Sequence, residues 1–258
     1  MSRMKQKQTR AHPAPPALEY KKMKKEPTMN ILFIGNSYTY FSDLPSIVSD
    51  LCRANGHEAR VDSVTCGGRK LHENLNTFCN DLNPDDPYAK QIAELLETVE
   101  YDVLFLQEQS CLPIVSPEAF FAGVVGLSSV IGAWRTILYA TWGRADGSDT
   151  LEHYGWTRKS MTEGLYSAYC RAADMAHAEV SPVGLCFAEI VEKHPEIDLY
   201  DPDKSHPSYA GSCVAALCHY KLLFGEMPTD LSVLKLDDAT CALLATAVNH
   251  VVNVESNA

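Results

Sequence analysis

Apolar and polar positions alternate in two different periods along the chain from residue 29 onward. Five segments have the pattern of β-strands, either a short continuous apolar run or an alternation of apolar and polar residues. They lie at residues 30–35, 57–64, 102–106, 136–142 and 180–186. The run at 102–106 (DVLFL) is the most typical of an interior strand, because it has no polar position after its first residue.

The segments between these strands have apolar residues at the three- and four-residue spacing of an amphipathic helix. Helices are predicted at 44–54, 86–99, 117–131, 156–176, 209–224 and 236–252. Ser42 and Asp43 are candidates to cap the first of them, and Pro45 suits its first turn. The remaining long segments, 66–86 and 142–156, are predicted to be loops that set specificity.

Strands separated by helices predict right-handed crossovers and a sheet covered on both faces. The expected fold is therefore a three-layer α/β/α domain with a mostly parallel central sheet. In open sheets of this kind, the reactive site lies beyond the carboxyl ends of the strands. Candidate chemistry should therefore be sought where each predicted strand ends.

Charge is distributed unevenly between the first 28 residues and the rest of the chain. Residues 1–28 hold eight Lys or Arg, two Glu and four Pro, and show no apolar periodicity. We predict a disordered basic tail at 1–28, without the features of a secretory signal, and a single domain at 29–258. That domain has 14 basic and 31 acidic residues, which argues against a nucleic-acid groove.

The nine cysteines are scattered, odd in number and without a CxxC pair. Reduced thiols in a cytoplasmic protein are the simplest explanation, and the spacing of a structural zinc site is lacking. No apolar run reaches the roughly 18–20 residues that a membrane-spanning helix needs. The sequence therefore predicts a cytoplasmic protein with neither a metal nor a membrane partner.

The first predicted strand ends in Gly35-Asn36-Ser37, followed by Tyr38 and Thr39. A serine at such a junction can project its hydroxyl from the sheet edge, and a glycine permits the tight turn. Amides at the start of the following helix could stabilise an anion. The alternative is that Ser37 only caps that helix.

A second segment, residues 201–208 (DPDKSHPS), precedes the predicted helix at 209–224. A serine nucleophile needs a base, and the base needs an acid that holds its tautomer. His206 and Asp203, three residues apart, could supply both from one loop. The alternatives are a surface histidine beside a turn, or Asp201 in place of Asp203.

Together, GNSYT at 35–39 and DKSHPS at 203–208 resemble the first and last conserved blocks of the SGNH (GDSL-like) hydrolase superfamily. The resemblance covers roughly residues 29–225 and implies the α/β/α architecture of that superfamily. It also implies that Ser37 is the nucleophile, His206 the base and Asp203 the orienting acid, with no cofactor. The oxyanion hole would use the backbone N–H groups of Ser37 and Gly68, with Gly67 as the alternative glycine.

The third block of the resemblance departs from the family pattern. SGNH hydrolases usually present an asparagine as the third oxyanion donor, whereas this chain has Gln107-Glu108-Gln109 after its strand at 102–106. A glutamine amide offers the same donor on a longer side chain. Gln107 and Gln109 both remain candidates, and Glu108 is expected to turn away or to bind a substrate hydroxyl.

The predicted activity is hydrolysis of a short acyl ester, an acetyl group on a carbohydrate or similar alcohol in the first instance. Tyr38, Trp142 and Arg144 lie at strand ends and could line the pocket, or could serve only packing and surface roles. One alternative is a catalytically silent carbohydrate-binding or interaction protein on the same scaffold. A nucleotide-binding protein is disfavoured, because no glycine-rich phosphate loop follows the first strand.

Overall fold

A five-stranded, all-parallel β-sheet lies at the centre of the protein, in a computed structural model that describes residues 28–80 and 86–255. The strand order is β2-β1-β3-β4-β5. In such a sheet the strand order reverses between β1 and β3, and a ligand site is expected at that point. The strands are β1 (Met29–Gly35), β2 (Ala59–Thr65), β3 (Val103–Leu106), β4 (Arg135–Tyr139) and β5 (Glu179–Ser181).

Eleven α-helices of the described residues connect and cover these strands. A single 3-10 turn, Phe41–Asp43, separates the first two helices. The helices are α1 (Ser37–Tyr40), α2 (Leu44–Ala54), α3 (Leu71–Asn80), α4 (Pro87–Thr98), α5 (Leu112–Val115), α6 (Pro117–Ile131), α7 (Asp149–Tyr154), α8 (Arg158–Ala176), α9 (Val183–Lys193), α10 (Tyr209–Phe224) and α11 (Asp238–Glu255).

The core has two halves, one on each face of the sheet. Along β1, Ile31 and Phe33 point to one face and pack with α2, α9, α10 and α11. Leu32 and Ile34 point to the other face and pack with α3, α4, α6 and α8. Side chains of a strand alternate between its two sides, and in this strand both sides are apolar because both are covered. The three-layer α/β/α prediction is confirmed.

Three predictions about local structure were wrong. The strand expected at 180–186 ends at Ser181, and α9 begins two residues later, after Pro182. The expected loops at 66–86 and 142–156 contain α3 and α7. Asp43 stands at the cap position of α2 but is left-handed and makes no side-chain capping bond there.

The basic tail predicted at 1–28 lies outside the described residues, except for its last position. Within the described ranges, no helix is both long and apolar enough to cross a membrane. Free thiols are carried by Cys52, Cys66, Cys111, Cys170, Cys186, Cys213, Cys218 and Cys241.

Candidate active site

Ser37 lies at the junction of β1 and α1, on the carboxyl edge of the sheet. The backbone before it passes very close to its neighbours. A Cβ added to Gly35 would lie 2.4 Å from Thr39 Oγ1 and 2.7 Å from Gln107 Oε1. Glycine is therefore needed here for close packing; its backbone is not left-handed, so the conformational reason predicted from the sequence does not apply. The Asn36 side chain caps α1.

His206 connects Ser37 to Asp203 through its two ring nitrogens. Its Nε2 lies 2.8 Å from Ser37 Oγ, and its Nδ1 hydrogen-bonds with Asp203 Oδ2. The other oxygen of Asp203 accepts the backbone N–H groups of Ser205 and His206, both at 2.9 Å. Partial burial raises the pKa of Asp203, but these hydrogen bonds outweigh it and the net pKa is lowered.

The loop that carries this histidine is closed on itself. Tyr200 and Pro207 form an antiparallel bridge, and the Asp201 N–H donates to His206 O at 2.9 Å. Lys204, at the tip, has a left-handed φ of 61° and donates from Nζ to Gly147 O. Asp201 thus shapes the loop through its backbone, whereas the carboxylate that hydrogen-bonds with the His206 ring is that of Asp203.

Phe41 is a neighbour of the imidazole that the sequence did not reveal. Its ring stacks on that of His206 with centroids 4.1 Å apart and an angle of 7°. Two consecutive left-handed residues, Ser42 (φ 53°) and Asp43 (φ 54°), follow it and turn the chain. Left-handed backbone is unfavourable for residues other than glycine. Two such residues in a row therefore indicate that the surrounding structure holds the turn after Phe41 in one conformation.

Gln107 is not placed to stabilise an oxyanion, which corrects one of the two glutamine predictions. The side chain is 1% exposed. Its Oε1 accepts from Asn36 N and Thr39 Oγ1, each at 2.9 Å. Its Nε2 donates to Asn36 Oδ1 at 2.9 Å and to the carbonyl of Glu108. Both amide protons are used, so Gln107 supports the turn beneath Ser37.

Gly68 lies in the loop between β2 and α3, and Asn36 attaches that loop to the Ser37 turn by donating to Arg69 O at 3.1 Å. Gly68 has a φ of 69°, and an added Cβ would meet nothing within 4 Å. A Cβ on Gly67 would instead lie 3.2 Å from the Tyr40 hydroxyl. The N–H groups of Gly67 and Gly68 both lack an acceptor within the described ranges, but of the two only Gly68 lines the cavity on this edge, so Gly68 is the better candidate donor.

Gln109 faces a cavity on the same edge that also touches Gly68. Its Oε1 accepts from the N–H groups of Cys111 and Leu112 at 3.0 and 3.2 Å, where α5 begins. Its Nε2 makes one long bond, 3.3 Å, to Ser110 Oγ. The amide therefore keeps a donor that Gln107 lacks.

Glu108 turns away from Ser37, as expected. The residue is fully buried, and both carboxylate oxygens accept from the N–H of Leu71, the first residue of α3. Oε1 also accepts from Gln109 N at 2.6 Å. Burial raises the pKa of Glu108 to about 8, although these backbone bonds oppose the rise.

The cavity has a volume of about 680 Å³, and Arg144 is among its lining residues. Tyr38 and Trp142, the other two pocket candidates, are buried and stack on each other with centroids 4.7 Å apart. Tyr38 also meets the His206 ring edge-on at 5.5 Å. Of the three, only Arg144 can meet a ligand in this cavity.

Metal ligands were not predicted from the sequence. Among the described residues, no group of three or more His, Cys, Asp or Glu side chains is arranged to hold a metal ion.

The fold is similar to that of solved structures from a known superfamily. A protein from Slackia heliotrinireducens, assigned to the SGNH hydrolases, is 29% identical with a TM-score of 0.64, over 76% of this chain and 100% of that one. The chain belongs to the SGNH-like superfamily. A DUF4886 family protein from Bacteroides uniformis shares its fold, at 17% identity and a TM-score of 0.74, over 88% of this chain and 95% of that one.

An acetyl-xylooligosaccharide esterase from Geobacillus, solved as a single-site mutant, has the same fold. It is 16% identical with a TM-score of 0.57, over 78% of this chain and 97% of that one. No protein-family model matches the sequence, and no curated protein does. The assignment to the SGNH-like superfamily therefore rests on structural similarity, which supports an esterase-type hydrolase. It agrees with the two sequence motifs at residues 35–39 and 203–208.

Proposed function

We propose that the protein is a serine esterase that cleaves short acyl esters through Ser37, His206 and Asp203. The observation that carries this proposal is the continuous hydrogen-bonded series from Asp203 through His206 to Ser37 Oγ, at the carboxyl edge of the sheet. A serine, a base within hydrogen-bond reach and an acid orienting that base are the arrangement that nucleophilic acyl transfer needs.

In the first half-reaction, Ser37 Oγ attacks the ester carbonyl carbon while its proton passes to His206 Nε2. The tetrahedral intermediate collapses, the carbon–oxygen bond of the ester breaks, and the same proton goes to the leaving alcohol. In the second half-reaction, a water molecule loses a proton to His206 and attacks the acyl-serine, which releases the acid and restores Ser37. Asp203 holds the imidazole and stabilises its cationic form.

The negative oxygen of each tetrahedral intermediate needs donors. The backbone N–H groups of Ser37 and Gly68 are the proposed ones, with the Gln109 amide as a third. A well-aimed donor of this kind contributes roughly 3–4 kcal/mol to transition-state stability. One Nε2 proton of Gln109 bonds to Ser110 Oγ, and the second proton is the one that the amide would offer to the oxyanion.

Acetyl esters of carbohydrates are the first substrates to test. Two proteins of similar structure are named for activity on such esters: the acetyl-xylooligosaccharide esterase and an acetyl xylan esterase. The cavity beside Gly68 and Gln109, about 680 Å³, has the size of a small-molecule site.

The test is fluorophosphonate labelling combined with hydrolysis of 4-nitrophenyl acetate. We expect the parent to be labelled, Ser37→Ala to lose both labelling and at least about 10³-fold in turnover, and His206→Ala to be labelled slowly. Ser129→Ala, which removes an exposed hydroxyl near the end of α6, is the matched control and should be labelled like the parent.

A folded parent that is neither labelled nor active would overturn the esterase proposal. Ligand binding without turnover would then favour the silent carbohydrate-binding protein.

A further inference from the structure

Arg144 lines the cavity that holds Gly68 and Gln109 and has no carboxylate partner within the described ranges. It follows β4 at the carboxyl edge of the sheet, and its Nη2 donates to Ser110 Oγ at 3.0 Å. Its Nε is buried and has no hydrogen-bond partner among the described residues. A guanidinium has five N–H donors and stays charged, so a buried, unused donor is costly unless a ligand satisfies it.

This cation is close to the Ser37 turn. Burial raises the pKa of Tyr38, the residue after Ser37, and the positive charge of Arg144 is the largest effect that opposes the rise. Arg144 also lines the cavity that contains Gly68 and Gln109. Gly68 and Gln109 are the proposed oxyanion donors, so a ligand whose ester oxygen they bind would extend into the same cavity that Arg144 lines.

The charges around the cavity fit a ligand with a single negative charge. Lys70 also lines it, but its ammonium pairs with Glu73 at 3.3 Å. Asp149 lines it as well, and no ion pair joins it to Arg144 among the described residues. One uncompensated guanidinium suits a monoanion such as a carboxylate better than a doubly charged phosphate, which Asp149 would repel.

We propose that Arg144 binds a carboxylate on the alcohol portion of the ester, so that the preferred substrates are short acyl esters of acidic alcohols such as carboxylated sugars. This inference rests on the proposed esterase function and makes it more specific. It gives Arg144 the part of a specificity-determining residue, which acts on the non-reacting end of the substrate. Arginine is suited to this part because its planar donors match a carboxylate.

The experiment compares 4-acetoxybenzoate with its methyl ester, which have the same acetyl group and differ in one negative charge. We expect the parent to have the higher kcat/KM for the anion. Arg144→Gln should lower the ratio of kcat/KM for the anion to kcat/KM for the methyl ester roughly 10- to 100-fold. Asp149→Asn should raise that ratio, because it removes a repulsive charge from the same cavity. Rising salt should reduce the preference in the parent.

Arg53→Gln is the control for a simple change in net charge. Arg53 lies near the end of α2, is exposed and pairs with Asp50, so the ratio should match that of the parent. Benzoate and phenylphosphonate are added as inhibitors while acetate release from the neutral substrate, methyl 4-acetoxybenzoate, is measured. Their relative inhibition separates carboxylate from phosphate recognition. Stronger inhibition by phenylphosphonate would overturn the carboxylate assignment.

Two failures are distinguishable. If the parent hydrolyses the neutral ester through Ser37 but shows no anionic preference, or if Arg144→Gln leaves the ratio unchanged, only the Arg144 inference fails. If the folded parent hydrolyses neither ester and is not labelled by a fluorophosphonate, the esterase function fails and this inference fails with it.

Discussion

Two carboxylates on the same edge of the sheet, Asp203 and Glu108, make similar contacts and have opposite properties. Each accepts two backbone N–H groups, from Ser205 and His206 of its own loop for Asp203, and from Leu71 and the adjacent Gln109 for Glu108. The pKa of Asp203 is lowered, whereas that of Glu108 is raised to about 8.

The two pKa values shift in opposite directions because the carboxylates differ in solvent exposure and in the group that they contact besides the backbone. The Asp203 side chain is 49% exposed and faces an imidazole that can become positive, so its charge is well supported. Glu108 is fully buried, and burial penalises its charge more than the backbone bonds stabilise it. The comparison indicates that Asp203 is suited to balance charge during a reaction, and Glu108 to hold the start of α3 in place.

The largest expected effect is that of Asp203→Asn. The amide cannot stabilise the imidazolium, and it allows the wrong tautomer of His206, so kcat should fall by up to roughly 10⁴-fold. Steady-state hydrolysis of 4-nitrophenyl acetate measures the loss. Thermal unfolding should show the fold intact, because the side chain is half exposed.

Asp201→Asn is the matched control for that change. It alters a carboxylate two residues away on the same loop, whose backbone alone contacts His206 in the described structure. We expect kcat within about twofold of the parent. A loss as large as that of Asp203→Asn would show that Asp201 is the acid that orients the base.

The second effect concerns stability and distinguishes Glu108 from Asp203. Because the pKa of Glu108 is raised from 4.5 in the unfolded chain to about 8 in the fold, the folded protein holds one more proton between these values. Its contribution to stability is therefore complete below pH 4.5 and decreases as pH rises through 8, by on the order of 4 kcal/mol. Glu108→Gln should remove this decrease, as measured by urea unfolding at pH 5, 6.5 and 8.

Glu73→Gln serves as its control, since Glu73 also accepts a backbone N–H, from Lys70, near the start of α3. Its partial burial raises the pKa, but its bonds to Lys70 outweigh this and the net pKa is lowered. The Glu73 variant should therefore keep the parent's decrease between pH 5 and 8. Equal pH dependence in the parent and in Glu108→Gln would contradict the raised pKa.

The sequence predicted the fold class and the residues of the hydrogen-bonded series because their signals are local. Asp203 and His206 are three residues apart on one loop, and Ser37 follows an apolar run that reads clearly as a strand. Helix α9 was missed because a short apolar run at 180–186 has no period that separates strand from helix. Helix α7 was missed because it is short and has few apolar residues, whereas α3 has Leu71, Leu75 and Phe78 at helical spacing, a signal that was present in the sequence and overlooked.

The two glutamines could not be separated from sequence because their states depend on distant contacts. Gln107 pairs with Asn36, 71 positions away, through one amide proton, and its other amide proton is donated to the Glu108 carbonyl. Glu108 meets the start of a helix 37 positions away. Gln107, Glu108 and Gln109 are adjacent polar residues after one strand, and no local sequence pattern shows which direction each side chain takes. In the structure Gln107 lies beneath the Ser37 turn, Glu108 is buried against α3 and Gln109 faces the cavity.

The smallest expected effect concerns how the imidazole opposite Asp203 is held. Phe41→Leu removes the ring that stacks on His206 at 4.1 Å but keeps an apolar side chain, so Phe41 is tested as a positioning residue. We expect kcat to fall about tenfold while KM changes little, because a displaced base slows proton transfer without altering substrate binding. Tyr40→Leu, which removes a ring that stacks on Phe41 at 5.7 Å, should change kcat less than twofold. Equal losses in the two variants, or a change confined to KM, would mean that the aromatic pair shapes the cavity entrance and that Asp203 alone orients the base.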